Sequence, residues 1–283
     1  MKNTFFLLLL FCCAAWGPAE SVEVPPECER IRICTFNIQI FGVSKMSKAE
    51  VPGILAGIVS RFDLTAVQEV RSIGTEPVEQ FMALLPERYG YVLGPREGRS
   101  SSKEQFWIIY DTEKLTILGT ETWPDPEDRF ERNPLGVYFQ TKGKFDFILV
   151  DVHVRPAGAA EEIAAMPEMV SGFRELWQED DVLLVGDFNA DGLYYDESAL
   201  SVVFSGDEYL IIAGNDLDTT VAAGDNSYDR IIVTLSAVED YAFNLGVMRF
   251  EEHYDLDALT IQPRELSDHY PVWAEFFTGR DTD

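Results

Sequence analysis

Ten short apolar runs, several following one another with no helical stretch between them, constrain the fold of this chain most. They read as strands at Ile31–Ile38, Leu64–Glu69, Tyr89–Leu93, Gln105–Tyr110, Leu115–Glu121, Leu135–Gln140, Phe145–Val150, Val182–Val185, Ser227–Val233 and Val272–Phe277. Helical periodicity is confined to Ser47–Phe62, Val78–Leu85 and Ala157–Glu179, the last carrying Pro167, where a kink or break is expected. Strands that succeed one another directly exclude a simple doubly wound parallel sheet. They predict an α/β architecture of two packed mixed sheets flanked by helices.

The strand ends are polar in a repeated way. Asn37, Glu69 and His153 close apolar runs, and Glu104 opens one. Val182–Val185 runs into Gly186-Asp187-Phe188-Asn189, Asp229 sits in Tyr228-Asp229-Arg230-Ile231, and Ser267-Asp268-His269-Tyr270-Pro271 leads into the last strand. A sheet holds such groups rigidly, which suits catalysis better than a free loop. Oxygen and imidazole groups in this number suit a hard cation and a phosphate. The chain has three histidines, and two of them occupy these ends.

Net charge is −27, which favours solubility and repels polyanions at long range. Yet Arg71, Arg99, Lys103, Arg155 and Arg230 each lie beside one of the polar segments. Met1–Ala19 reads as a secretory signal: Lys2 gives the positive start, Phe5–Phe11 the apolar stretch, and Ala14, Gly17 and Ala19 the small residues for cleavage. That run is shorter than the roughly 20 residues a membrane span needs. The expectation is a signal over 1–19, one domain over 20–283, no transmembrane segment after cleavage, and a secreted or periplasmic location. Cys28 and Cys34 would then remain. Fully extended, their Cα atoms stand about 20 Å apart, beyond the roughly 7 Å limit for a bridge, so two free thiols are expected.

These motifs resemble the secreted deoxyribonucleases of the DNase I type, within the endonuclease/exonuclease/phosphatase superfamily. The resemblance runs through Phe36-Asn37-Ile38, Lys45-Met46-Ser47, Gln68-Glu69-Val70-Arg71, Gly98-Arg99-Ser100 with Lys103-Glu104, His153 with Pro156, Gly186–Asp191, Asp218-Thr219-Thr220, Tyr228–Ile231 and Ser267–Val272. It implies a four-layer α/β/β/α sandwich and hydrolysis of DNA phosphodiesters with little sequence specificity. It implies His153 and His269 as the general base and general acid, with Glu104 behind His153 and Asp229 behind His269. Asp187 and Asn189 would hold phosphate, metal or attacking water. Glu69 is the implied main metal ligand, with Asn37 and Asp268 near it, for Mg²⁺ or Mn²⁺ and with Ca²⁺ as a further candidate. Arg71, Arg132, Asn189, Tyr228 and Thr220 are implied substrate contacts. DNA is the implied partner, with no stable protein partner and a monomeric chain.

Departures from the family pattern are legible too. Gly192 and Asn226 stand where it has paired half-cystines, and the second small disulfide loop is missing around Pro124–Asp128. Gln39 replaces an arginine that reaches for phosphate, and Ser102 a tyrosine that enters the minor groove. These losses and the acidity motivate an alternative, the same chemistry on a phospholipid head group or another small phosphodiester. His253 matches nothing in the pattern and reads as a surface residue.

Overall fold

A computed structural model describes residues 29–99 and 101–281. The signal read at 1–19 and Cys28 lie outside the described residues. Twelve strands form two sheets among them. In chain order they are β1 (Arg30–Phe41), β2 (Leu64–Val70), β3 (Tyr89–Leu93), β4 (Gln105–Asp111), β5 (Leu115–Thr122), β6 (Leu135–Thr141), β7 (Asp146–His153), β8 (Val182–Asp187), β9 (Tyr209–Ile211), β10 (Asp229–Thr234), β11 (Tyr241–Val247) and β12 (Val272–Phe277). The helices are α1 (Val43–Met46), α2 (Val51–Val59), α3 (Glu76–Met82), α4 (Ala159–Trp177), α5 (Leu200–Val203) and α6 (Pro263–Leu266).

The first sheet has the order β11-β12-β1-β2-β4-β3 and the second β5-β6-β7-β8-β10-β9. Both are mixed: β1 pairs parallel with β2 and β7 parallel with β8, while their other neighbours run antiparallel. Strand alternation sorts the side chains into layers. Ile33, Leu64, Ala66 and Ile108 of the first sheet meet Val137, Phe139, Leu149, Leu183, Val185 and Ile231 of the second in the central core. The opposite face of the first sheet, with Phe36, Phe41, Val67 and Trp107, packs on Leu55, Ile58 and Val59 of α2 and Phe81 of α3. On the outer face of the second, Ile148, Val150 and Leu184 pack on Ile163, Met166, Met169, Val170 and Phe173 of α4. The result is the expected four-layer α/β/β/α sandwich.

Four details differ from expectation. The single helix expected over Ser47–Phe62 is two, because Pro52 suits only a helix start. Helix α4 runs through Pro167 without a break; packing of Met166 and Met169 on the sheet outweighs one lost hydrogen bond. Strand β9 has only three residues, too few for a periodic signal. Strand β11 is interrupted by a register shift between Tyr241 and Leu245, with Phe243 at φ 52°, so its alternation is lost in the sequence. Cys34 is a free, fully buried thiol. No helix among the described residues is long and apolar enough to cross a membrane.

Candidate active site

The polar strand ends gather at one edge of the sandwich, on the faces where the two sheets meet. Asn37 follows Ile33 and Thr35 on the inward face of β1, and His153 follows Leu149 and Asp151 on that of β7. Adjacent irregularities turn the chain there. The β1–β2 register shifts between Asn37 and Phe41, the β2–β4 register between Val67 and Val70, and Gln39, Ile40 and Glu69 all have positive φ (48°, 52° and 65°). Glu69 thereby points into the cleft, where its Oε2 accepts from Ile40 N at 3.0 Å.

Gly186 explains the start of the Gly-Asp-Phe-Asn motif. Its φ is 140°, and a Cβ there would lie 2.0 Å from the Val152 carbonyl oxygen. Only glycine lets β8 close so tightly against β7. Asp187 follows, and its Oδ2 is the hub of the cleft. It accepts from Asn37 Nδ2 at 2.9 Å and lies 3.5 Å from His153 Nε2 and 3.6 Å from His269 Nε2. Asn37 Nδ2 also faces Glu69 Oε1 at 3.3 Å. Asn189, at φ 47°, donates from its side chain to Val154 O and from its backbone to Asp187 Oδ1.

Each imidazole has an acid behind it. Glu104 Oε1 lies 3.2 Å from His153 Nδ1, and Asp229 Oδ2 lies 2.8 Å from His269 Nδ1. His269 is further fixed by its backbone N–H to Ser267 Oγ, while the Ser267 hydroxyl donates to Asn37 O. Thr220 bridges the His269 backbone, and the Tyr228 ring stands 6.1 Å from the imidazole. Asp268 Oδ1 is 4.0 Å from His269 Nε2. Thus His153, His269, Glu104, Asp229, Asp187, Asn37 and Glu69 converge, with Asn189, Asp268, Thr220 and Tyr228 at their margin. His253 is exposed and apart.

With this geometry in view, the relatives are informative. Deoxyribonuclease-1-like 2 of Mus musculus is 32% identical over 259 residues, covering 88% of this chain and 92% of its own length. The chain belongs to the DNase I family. Deoxyribonuclease-1 of Gallus gallus is 32% identical over 263 residues and that of Bos taurus 30% over 256, each covering 86% of this chain and 90% of its own length. Among solved structures, an endonuclease/exonuclease/phosphatase family protein from Bacteroides thetaiotaomicron superposes with a TM-score of 0.59 at 16% identity, covering 88% of this chain and 95% of its own. D. rerio TDP2 complexed with a single-strand DNA product superposes with a TM-score of 0.62 at 14% identity, covering 87% and 98%. These two likenesses concern the fold alone. No protein-family model matches the sequence.

In this DNase I family member the two imidazoles differ in charge. Burial pushes the pKa of His153 down, and the Arg132 guanidinium adds to the effect, to about 4. Burial also disfavours charge on His269, but Asp229 and then Asp187 outweigh it and push its pKa up to about 10. At neutral pH His153 is neutral and His269 is protonated. Arg132 adds to burial on the first side: its Nε pairs with the very Glu104 oxygen that faces His153, and its Nη1 donates to His153 O.

The cations are less available than their sequence positions suggest. Arg71 pairs with Glu69 at 2.9 Å, Arg99 with Asp128, Arg132 with Glu104 and Arg155 with Glu131. Arg230 is fully buried and donates to the Ala190 and Ala213 carbonyls, so it shapes the loop after Asp187 instead of facing the cleft. Lys45, whose motif gave no role in the sequence, is buried and donates to Ile38 O and Leu266 O, each at 2.6 Å. It ties the Asn37 strand end to the Ser267-Asp268-His269 turn. Only the contact between residues so distant in sequence reveals this.

The donor set fits a hard divalent cation. Glu69, Glu104 and His153 offer ligand atoms within 4.8 Å of one another, and so do Asp187, Asp229 and His269. Most donors are carboxylate oxygens, which favour hard ions. Asp229 Oδ1 is buried without a hydrogen-bond partner among the described residues.

Proposed function

We propose that this protein is a divalent-metal-dependent endonuclease that hydrolyses DNA phosphodiesters with little sequence specificity. One observation carries the reading: two acid-backed imidazoles face the same Asp187 oxygen across one cleft. The names of its relatives supply the substrate class.

His153, neutral and held by Glu104, takes a proton from water at Nε2 as the oxygen attacks phosphorus. His269, protonated and held by Asp229, gives its Nε2 proton to the oxygen that leaves. One P–O bond forms, one breaks, and the proton count closes when the histidines exchange protons with solvent. Positioned proton transfer of this kind contributes roughly 10²- to 10⁴-fold. Asp187, fixed by Asn37, orients both imidazoles, and Asn189 offers an amide to the phosphate. Glu69, Asn37 and Asp268 would hold Mg²⁺ or Mn²⁺, with Ca²⁺ as a further ion. Such an ion neutralises charge on the phosphate and on the oxygens around phosphorus. Arg71, Arg132, Tyr228 and Thr220 flank the substrate, Arg132 acting chiefly through Glu104. Long-range repulsion of DNA by the −27 charge is screened beyond about 8–10 Å at physiological salt. The segment 1–19 directs secretion, and the chain works as a monomer.

Nicking of supercoiled plasmid with Mg²⁺ and Ca²⁺, abolished by chelation, tests the reading. A protein that leaves plasmid intact but turns over sphingomyelin or another small phosphodiester would instead be a small-phosphodiester hydrolase.

A further inference from the structure

The cleft is assembled from both sheets. Asn37 and Glu69 belong to strands of the first, and the Ser267–His269 turn enters it through β12. His153, Asp187 and Asp229 belong to the second. The distances from His269 to Asp229 and Asp187, and from Asn37 to Asp187, therefore depend on how one sheet sits on the other. The two sheets meet through a central core of buried apolar side chains. Apolar contact is non-directional, so it resists separation of the sheets better than it resists sliding.

One polar string interrupts that core, in the layer beneath the cleft. Thr35 lies two residues before Asn37, Gln68 immediately before Glu69, and Asp151 two residues before His153. Gln68 Nε2 donates to Thr35 Oγ1 at 3.0 Å and to Asp151 Oδ1 at 2.6 Å, and all three residues have no exposure to solvent. The string thus passes from β1 through β2 to β7, across the gap between the sheets. We propose that Gln68 and Asp151 are positioning residues: an inter-sheet latch that sets the alignment of the two halves of the cleft.

The energetics favour alignment over stability as its role. A buried polar pair contributes little net stability, because both partners give up water, and apolar groups of similar shape often serve as well. What the pair adds is direction, since a hydrogen bond weakens steeply away from its preferred angle. An apolar layer would leave His153 and Asn37 free to drift relative to each other, and small displacements of reacting groups are costly. Burial holds the Asp151 carboxyl well above the usual carboxylate range, and an asparagine keeps the oxygen that accepts from Gln68.

The inference rests on the nuclease reading of the cleft, so its test includes a measurement that needs no substrate. The variants are Gln68→Leu/Asp151→Leu together, and Asp151→Asn alone. The readouts are kcat and KM for Mg²⁺-supported plasmid nicking, the thermal midpoint, and the imidazole ¹⁵N–¹H spectrum of metal-free protein, with exposed His253 as internal reference. The double variant should lose roughly tenfold or more in kcat with KM within about twofold. It should melt at or above the wild-type midpoint, and its His153 resonances should shift while those of His253 stay. Asp151→Asn should keep kcat within about threefold and the wild-type His153 signal. A double variant with wild-type kcat and an unmoved His153 signal overturns the latch, as does a kcat loss that follows a lowered midpoint in both variants. Should wild-type protein fail to nick plasmid, the nuclease reading falls while the His153 signal still decides the latch.

Discussion

His153 and His269 are chemically alike: each is buried, each has a carboxylate at Nδ1, and each turns Nε2 toward Asp187. They differ in what else touches the carboxylate. Asp229 serves His269 with no cation between them, whereas Glu104 is shared by His153, Arg132 and Arg71. An acid already neutralised by guanidinium groups can orient an imidazole without charging it. Burial lowers both pKa values, but Asp229 outweighs it at His269 while Arg132 adds to it at His153, so the two histidine–acid pairs hold opposite protonation states at one pH.

The most severe way to break the comparison is to remove each ring. His153→Ala and His269→Ala should each lower plasmid nicking by about 10²- to 10⁴-fold. A p-nitrophenyl phosphodiester, whose leaving group needs no proton, separates the roles. It should restore much of the rate to His269→Ala and little to His153→Ala, and the reverse pattern exchanges base and acid.

Changing the acids should have a smaller, unequal effect. Asp229→Asn removes the strongest support for charge on His269 and should cost roughly 10²-fold. It should also bring the alkaline limb of kcat/KM down from near pH 10 toward neutrality, because the proposed mechanism needs His269 protonated. Glu104→Gln leaves His153 neutral and oriented, and should cost about tenfold with the alkaline limb unmoved. Equal losses in the two variants would show that Arg132 does not distinguish the pairs.

The mildest change sharpens the comparison. Arg132→Met removes a cation that lowers the His153 pKa and frees Glu104, and both effects raise it. In the proposed mechanism activity needs His153 neutral and is lost as pH falls through its pKa. The acid limb, near pH 4 in wild type, should therefore move upward, about tenfold in neutral His153 for each pKa unit. Rates at pH 7 should fall much less than rates at pH 5. An unmoved acid limb in a pH–rate profile would refute the part assigned to Arg132.

Much of this was legible in the chain. Alternation and apolar runs placed ten of the strands, and the same runs marked where Asn37, Glu69, His153, Asp187, Asp229 and His269 would stand. β9 and β11 escaped notice because one is three residues long and the other is broken by a register shift. Arg71, Arg99 and Arg155 stand beside polar segments in sequence, yet each pairs with a carboxylate. Lys45 stood in a motif without a role and Asp151 carried no signal, since a buried lysine or aspartate looks like a surface one until its partners are known.

By itself the sequence determined the architecture and the identity of the polar strand ends, because strand period and glycine-demanding turns such as Gly186 are local properties of the backbone. Only tertiary structure decided which cation takes Glu104, and that a single Asp187 oxygen lies between both rings. Those are distances of a few ångströms between residues far apart in sequence. Stacking of the two sheets sets them, and no local pattern encodes that stacking.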